Sequence, residues 1–432
     1  MSPARSAALQ VLKAVRKGAF ADRAFEVAAE SLEEADRRLA QETVLGVLRL
    51  RGRLDHILNA LVKGGVEALD DEVLDALRLG AYQLLELDRV PAYAAVSEAV
   101  EMAKRAAGRG AASLTNAVLR RLSRSSYYSF AFPALDEAPL EHLSSWGSHP
   151  RWLIERWLDR WPVDSVCRLV EYNNRRPAVY VSVAGDREKA IERLRQVGVE
   201  AEVIEGVGSS LRVESAAVQR ALATVGGVVQ DPAAATVVDY MALAPTTGVV
   251  DMCAAPGGKA ALLAMRGHEV WAMDVSRARL VKLLETRARL GLTHLHAAQA
   301  DGTRPPIREA DAVLLDVPCS GTGTLGRHPD GRWRLRRDEL DVLVDLQRRL
   351  LDAAAEIVRP GGLLVYATCS LEREENEGQV EAFMSRRREF QREQGGAPVR
   401  ADLLDAEGDL VVLPQRDSMD GAYAARLRRS GG

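Results

Sequence analysis

Two cysteines stand where hydrophobic segments give way to loops. Cys319 lies in DVPCSGTGT (316–324) and Cys369 in ATCS (367–370). A thiol suits covalent catalysis near neutral pH, because its thiolate fraction is appreciable and sulfur is intrinsically nucleophilic. A lone buried cysteine is ordinarily inert packing. Two of them at the ends of neighbouring strands, one behind Asp316, point to chemistry instead. Pro318 stiffens the turn before Cys319, and Gly321 and Gly323 let the loop pack closely against a flat substrate.

A third cysteine opens the turn Cys253-Ala254-Ala255-Pro256-Gly257-Gly258-Lys259, which joins a strand to a helix. Its glycines permit a tight turn and close backbone approach to a ligand, and the helix start offers unpaired N–H groups. Asp274 closes the next strand, at about the 20-residue spacing at which an acid binds ribose hydroxyls. A phosphate-binding Walker loop is excluded, because Cys253 stands where its first glycine belongs and Ala260 where its Ser or Thr belongs. The dinucleotide fingerprint G-x-G-x-x-G is also absent. A nucleoside without a pyrophosphate fits, and S-adenosylmethionine is the common one. Asp301, at the end of a third strand, is placed to accept from an adenine amino group.

Methylation of carbon 5 of a cytosine is a reaction that would explain the need for a thiol beside a methyl donor. Carbon 5 of cytosine is a poor nucleophile, and a thiolate adding to carbon 6 converts the ring into an enamine that can attack a methyl sulfonium. A base then removes the carbon 5 proton and the thiol is eliminated. Asp316 is the candidate acid beside ring nitrogen 3. The target base must leave its stack to reach such a cleft. Spacing alone leaves open whether Cys319 or Cys369 attacks.

The elements that position these residues alternate. From Gly248 onward the sequence reads as strands 249–253, 269–275, 294–299, 311–318 and 362–369, with helices at 276–291, 338–358 and 372–384. That alternation predicts a parallel, doubly wound α/β sheet with ligands beyond the carboxyl ends of its strands. Residues 1–124 read as helices only, from Leu54, Ile57, Leu58, Leu61 and Leu74, Leu77, Ala81, Leu84, Leu85 at helical spacing. Asp70 and Asp71 are expected to cap the second of these helices. Residues 125–150 lack helical periodicity and read as a linker. A helix over 152–161, strands at 178–183 and 200–206 and a helix at 188–198 form a small α+β module. The expected domains are 1–127, 145–232 and 233–432.

With 432 residues, several domains are required, since one holds roughly 100–200. Four cysteines in such a chain are not a disulfide framework; none forms a CxxC pair, and the seven histidines do not cluster near them, so no metal site is expected. No apolar run reaches the roughly 18–20 residues of a membrane span, and the amino terminus lacks the apolar core of a signal peptide, so a cytoplasmic protein is expected. The net charge of −3 argues mildly against nucleic acid. Arginine is unevenly placed, however: five stand in GRHPDGRWRLRR (326–337), with further clusters at Arg120, Arg121 and Arg124, at Arg175 and Arg176, and at Arg426, Arg428 and Arg429.

The segments DMCAAPGGKA, AMDVS, ADG, DVPCSGTGTLGRHPD and ATCSLEREEN resemble the bacterial small-subunit ribosomal RNA cytosine-5 methyltransferases of the Sun or Fmu family. LRLGAYQLL, VPAYAAVSEAVEMAK and TNAVLRRL resemble the family's NusB-like RNA-binding domain, and HPRWLIERW and Gln230–Asp231 its connecting stretch. The resemblance implies a multidomain protein: an all-α NusB-like bundle, a small α+β RNA-recognition module and a Rossmann-like methyltransferase domain. It implies S-adenosylmethionine as cofactor and ribosomal RNA as partner; the oligomeric state does not follow from it, and a monomer is the default expectation. It assigns the nucleophile to Cys369, product release to Cys319, and cofactor contacts to Cys253–Lys259, Asp274, Asp301 and Asp316, with Arg279 as a further position. The sequence departs from the family at Ala260, Gly326, Gly331, YVSV (180–183) and DGAYAARL (420–427). Two alternatives stand beside this reading: a transfer RNA cytosine-5 methyltransferase, and a non-catalytic RNA-binding or ribosome-assembly factor.

Overall fold

The computed structural model describes residues 2–204 and 206–431. The chain divides into two compact units, one running to Arg176 and also including Leu325–Arg337, the other made of Pro177–Thr324 and the residues from Asp338 onward.

The first unit is helical because its apolar residues recur every three or four positions. Its helices are α1 (Pro3–Arg16), α2 (Ala21–Ala28), α3 (Glu34–Leu61), α4 (Asp71–Glu86), α5 (Ala92–Leu122), α6 (Pro139–Ser145), α7 (Arg151–Arg160) and α8 (Val163–Asn174). Leu54, Ile57, Leu58, Leu77 and Ala81 are fully buried in one core. Asp70 stands at the N-cap of α4, but its side chain makes no capping bond, unlike the cap expected. The expected linker at 125–150 contains α6, which starts at Pro139 and is too short for its periodicity to register. The helix α8 was not expected either.

In the second unit a small antiparallel sheet takes β1 (Val179–Ser182), β2 (Ala201–Val203), β3 (Ser210–Val213) and β4 (Val228–Val229) in the order β2-β3-β1-β4. It is backed by α9 (Arg187–Gln196) and α10 (Val218–Val225). The expected strand at 200–206 is observed at 201–203, and its Glu205 lies outside the described residues. After α11 (Pro232–Tyr240) comes the main sheet: β5 (Gly248–Asp251), α12 (Gly258–Met265), β6 (Glu269–Asp274), α13 (Arg277–Leu290), β7 (Leu295–Gln299) and β8 (Ala310–Asp316). Residues 325–337, with the helical turn α14 (Gly331–Arg334), then belong to the first unit. The sheet resumes with α15 (Glu339–Ile357), β9 (Val358–Thr368), α16 (Glu377–Arg386), β10 (Phe390–Arg392), β11 (Leu410–Val412) and β12 (Ala422–Arg429).

The strand order is β10-β12-β9-β8-β5-β6-β7, with β11 also paired to β12. Strands β7, β6, β5, β8 and β9 are parallel, as the alternation predicts. The chain leaves β5 toward β6 on one side and returns to β8 on the other, so β5 lies at the switch point where open α/β sheets bind ligands. The carboxyl-terminal part corrects the wholly parallel expectation: β12 runs antiparallel to β9, and β10 and β11 antiparallel to β12. Strand β12 is buried on both faces along most of its length, so no polar–apolar alternation marks it in sequence.

Candidate active site

The glycine turn follows β5 directly. Gly257 has φ +107°, and a Cβ on it would stand 2.8 Å from the Leu283 side chain, so only glycine fits without displacement. Met252 and Ala254 are tied to neighbouring strands, Met252 N–H to the Leu314 carbonyl at 3.0 Å and Ala254 N–H to the Met273 carbonyl at 2.8 Å. The turn is thus held against both β8 and β6.

Asp274 ends β6, buried, and organises the adjacent wall. Its Oδ1 accepts from Ser276 N–H at 2.7 Å and Arg279 Nη2 at 2.9 Å, and its Oδ2 accepts from Ala255 N–H at 3.2 Å. Each carboxylate oxygen has more than one acceptor site, so Oδ2 retains capacity for a ligand hydroxyl. Arg279, expected as a cofactor contact, is therefore also the partner that orients Asp274. Asp301 is exposed, and its Oδ1 accepts from Thr303 N–H at 2.9 Å and the Thr303 hydroxyl at 2.8 Å. The Thr303 amide, then its hydroxyl, hold this carboxyl below its usual range, so it is an acceptor at neutral pH.

Three polar atoms around this turn have no protein partner although they are buried: Asp251 Oδ1, Gln230 Oε1 and Arg279 Nε. Gln230 lies across from Gly258, where a Cβ would meet its amide at 3.6 Å. Buried polar groups ordinarily find partners, so unmatched ones beside a glycine cradle fit a polar ligand such as a nucleoside. Burial, and next the neighbouring charge of Asp316, push the Asp251 carboxyl up to about 8. Burial likewise pushes the Cys253 thiol far up, so it is a neutral, unreactive group of the turn.

The other half of the site lies at the ends of β8 and β9. Lys259 Nζ donates to Asp316 Oδ2 at 2.6 Å. Burial works against the Lys259 ammonium, but Asp316, followed by Cys369 and Asp251, outweighs it and raises its pKa. Cys319 Sγ and Cys369 Sγ are 3.3 Å apart, both half-buried. The bond to Cys369, with burial second, pushes the Cys319 thiol well above its ordinary value. Gly323 N–H donates to the Cys369 carbonyl at 3.0 Å, and a Cβ on Gly323 would stand 2.7 Å from that carbonyl oxygen, so glycine is what allows the two loops to touch. The arrangement brings the predicted Cys319, Cys369, Asp316 and Lys259 together. Sequence reasoning passed over Glu375, Gln347, Ser320 and Ser370, which pack behind the thiols. Ser320 and Ser370 stand within DVPCSGTGT and ATCS, and the trace of Glu375 is the acidic run EREEN, which reads as helix but forms a turn before α16.

The arginine clusters separate on inspection. Arg332 is fully buried in the first unit, where it donates to the carbonyls of Arg49 at 2.9 Å, Ser148 at 3.1 Å and Asn173 at 2.5 Å, and to Asn174 Oδ1 at 2.7 Å. It holds the 325–337 segment in place and offers nothing to a phosphate. In the same segment a Cβ on Gly331 would stand 3.1 Å from Leu325, so a bulkier residue would force a shift. Arg426 is buried and, like Arg428, is paired with Glu393. Arg120, Arg121, Arg124, Arg175 and Arg176 are exposed, although Arg176 is paired with Glu42 at 2.7 Å.

A parallel sheet with a glycine turn at its switch point, an acid ending the next strand and unmatched polar atoms between them defines an S-adenosylmethionine-dependent methyltransferase. Residues 240–428 match the family described as 16S rRNA methyltransferase RsmB/F. Residues 2–124 match the NusB family, and 149–219 the ferredoxin-like domain of RsmF/B-like methyltransferases. A probable ribosomal RNA small subunit methyltransferase B from Synechocystis is 32% identical over 100% of both chains. The ribosomal RNA small subunit methyltransferase B of Vibrio cholerae is 34% identical over 99% of this chain and 98% of its own. The crystal structure of PH0851 matches with a TM-score of 0.78 at 26% identity, covering 99% of each chain. The chain belongs to the ribosomal RNA small subunit methyltransferase B family, and its methyl donor is S-adenosylmethionine. Among the described residues no helix is long and apolar enough to cross a membrane, and no group of three or more side chains could hold a metal ion.

Proposed function

We propose that the protein methylates carbon 5 of a cytosine in 16S ribosomal RNA, with Cys369 as the covalent nucleophile. The observation that carries this reading is the pair of thiols 3.3 Å apart at the ends of adjacent parallel strands, beside the Lys259–Asp316 ion pair. The bound donor supplies an electrophilic methyl group. Cys253–Lys259, Asp274 and Arg279 hold and orient it, and Asp301 accepts from its base.

Lys259 holds its positive charge on the Cys369 side of the site, Asp316 and then Cys369 favouring its ammonium form. Cys369 gives up its thiol proton to water, its Sγ forms a bond to carbon 6, and the pair from the broken C5–C6 double bond gives carbon 5 its nucleophilic character. Ring nitrogen 3, which takes up the shifted electron pair, receives a proton from the Lys259 ammonium through Asp316, 2.6 Å from it, and gives it back as the ring double bond re-forms. After carbon 5 has been methylated, its proton passes to water, that electron pair re-forms the ring double bond, and the C6–Sγ bond breaks. Cys319, held protonated next to the departing sulfur, donates its proton to Cys369 Sγ and is then reprotonated from solvent. The matches to the NusB and RsmF/B-like families favour ribosomal RNA as the substrate. An enzyme acting on that RNA works in the cytoplasm.

Bisulfite sequencing of RNA from a strain lacking the gene tests the reaction and substrate. One 16S cytosine is expected to lose its protection, and to regain it with the wild-type gene but not with Cys369→Ser. Intact 16S protection together with a lost transfer RNA site would overturn the substrate assignment.

A further inference from the structure

Behind the two thiols lies a carboxylate that the reaction itself does not use. Glu375 is fully buried. Its Oε1 accepts from Ser320 N–H at 2.8 Å and from Gln347 Nε2 at 2.8 Å, and the Ser320 hydroxyl donates to its Oε2. All three donors are neutral. Gln347 Nε2 also donates to the Pro318 carbonyl at 3.0 Å. The residues on either side of Cys319 are therefore gripped by one carboxylate–amide pair. The Tyr366 hydroxyl donates to the Glu375 backbone carbonyl at 2.6 Å, which fixes the carboxylate's own backbone to β9.

The network also reaches the second cysteine. Ser320 Oγ and Ser370 Oγ are 3.0 Å apart, and Thr322 Oγ1 is 3.4 Å from Ser370 Oγ. Each serine immediately follows one of the two cysteines. A buried carboxylate is costly to retain unless its bonds are needed. Here those bonds set the position of one loop, and that loop carries Cys319.

We infer that Glu375 is a positioning residue for Cys319: it holds the Pro318–Ser320 turn so that the Cys319 thiol stands against Cys369 Sγ when the C6–Sγ bond breaks. The inference rests on the release role given to Cys319 above. In that step the carbon 5 proton goes to water, its electron pair forms the C5–C6 double bond, and the pair of the C6–Sγ bond goes to Cys369 Sγ. That sulfur takes the Cys319 proton, and hydronium returns a proton to Cys319. A reacting group misplaced by about 1 Å can lose roughly 100-fold in rate. Loosening the turn thus slows release more than attack, because Cys369 follows directly on β9, one residue past Thr368, whereas Cys319 lies within the turn that Glu375 holds.

The test uses the full-length protein with in vitro transcribed 16S RNA and S-adenosylmethionine, scoring protein–RNA adduct by denaturing gel and methyl transfer in a single turnover. Glu375→Ala is expected to raise the steady-state adduct by about tenfold or more while changing adduct formation by less than about threefold. Glu375→Gln keeps an oxygen for Ser320 N–H and Gln347 and an amide for the Ser320 hydroxyl, so it is expected to release within about threefold of wild type. Equal loss of formation and release in Glu375→Ala, wild-type release in Glu375→Ala, or failure of Glu375→Gln to rescue would each overturn the inference. Should Glu375→Ala not fold, Ser320→Ala carries the test: about threefold more adduct supports the inference and wild-type release overturns it. Cys319→Ser and Cys369→Ser run in parallel separate the two layers. Adduct with Cys369→Ser, or none with Cys319→Ser, defeats the proposed function itself, whereas normal behaviour of both with no Glu375 effect defeats only the positioning role.

Discussion

The donor half and the thiol half of this site are built in opposite ways. Around the glycine turn, Asp251 Oδ1, Gln230 Oε1 and Arg279 Nε are buried with no protein partner. Behind the thiols, the Ser320 and Ser370 hydroxyls and the Glu375 carboxylate bond one another, and of the side chains in that network only Gln347, at Oε1, leaves a buried atom unmatched. Unmatched buried polar atoms are tolerable where a ligand will supply the partner. A tied network suits a place where protein atoms themselves react, because their geometry must exist before substrate arrives. On the reaction proposed above, the contrast puts donor recognition on one side of β5 and the two thiols on the other.

If that division holds, substitutions in the two halves must have separable effects. The largest belongs to Cys369→Ser, expected to lower methyl transfer by at least about 1,000-fold and to abolish covalent capture of RNA. Calorimetry should show donor binding unchanged; lost binding would mean the halves are not separate. Asp274→Ala comes next. Losing a charged acceptor of hydrogen bonds costs about 1.5–3 kcal/mol, roughly 10- to 100-fold in donor affinity, with kcat at saturating donor nearly preserved. A collapse of kcat with unchanged donor KM would contradict that assignment.

A third test reads the donor half without ligand. The folded protein holds the Asp251 proton up to about pH 8, whereas the unfolded chain releases it near the ordinary value of 3.8. Between those limits the folded state binds more protons, so this group makes stability fall as pH rises. Urea midpoints of the wild type relative to Asp251→Asn should therefore decline from pH 5 to pH 8. A flat difference would show that Asp251 is not held protonated.

Much of this was legible before any coordinates. The glycine turn, Asp274, Asp301 and both thiols are marked by residue type at strand ends, and the parallel core by alternating periodicity. What stayed hidden has physical reasons. Strand β12 is buried on both faces and carries no alternation. Helix α6 spans only seven residues. Arg332 reads as one of five surface cations, yet its guanidinium is fully buried among backbone carbonyls. Glu375 reads as one acid among several in a charged run, and only the fold reveals that Ser320 and Gln347 converge on it. Partners supplied by distant segments leave no local signature.

The central claim concerns which sulfur bonds the base, and it can be read directly. RNA containing 5-fluorocytidine cannot lose a carbon 5 proton, so the adduct that normally resolves should persist after methyl transfer. Peptide mapping of the trapped protein by mass spectrometry is expected to place the nucleotide on Cys369. Finding it on Cys319, or finding methylated product with no adduct at all, would contradict the account.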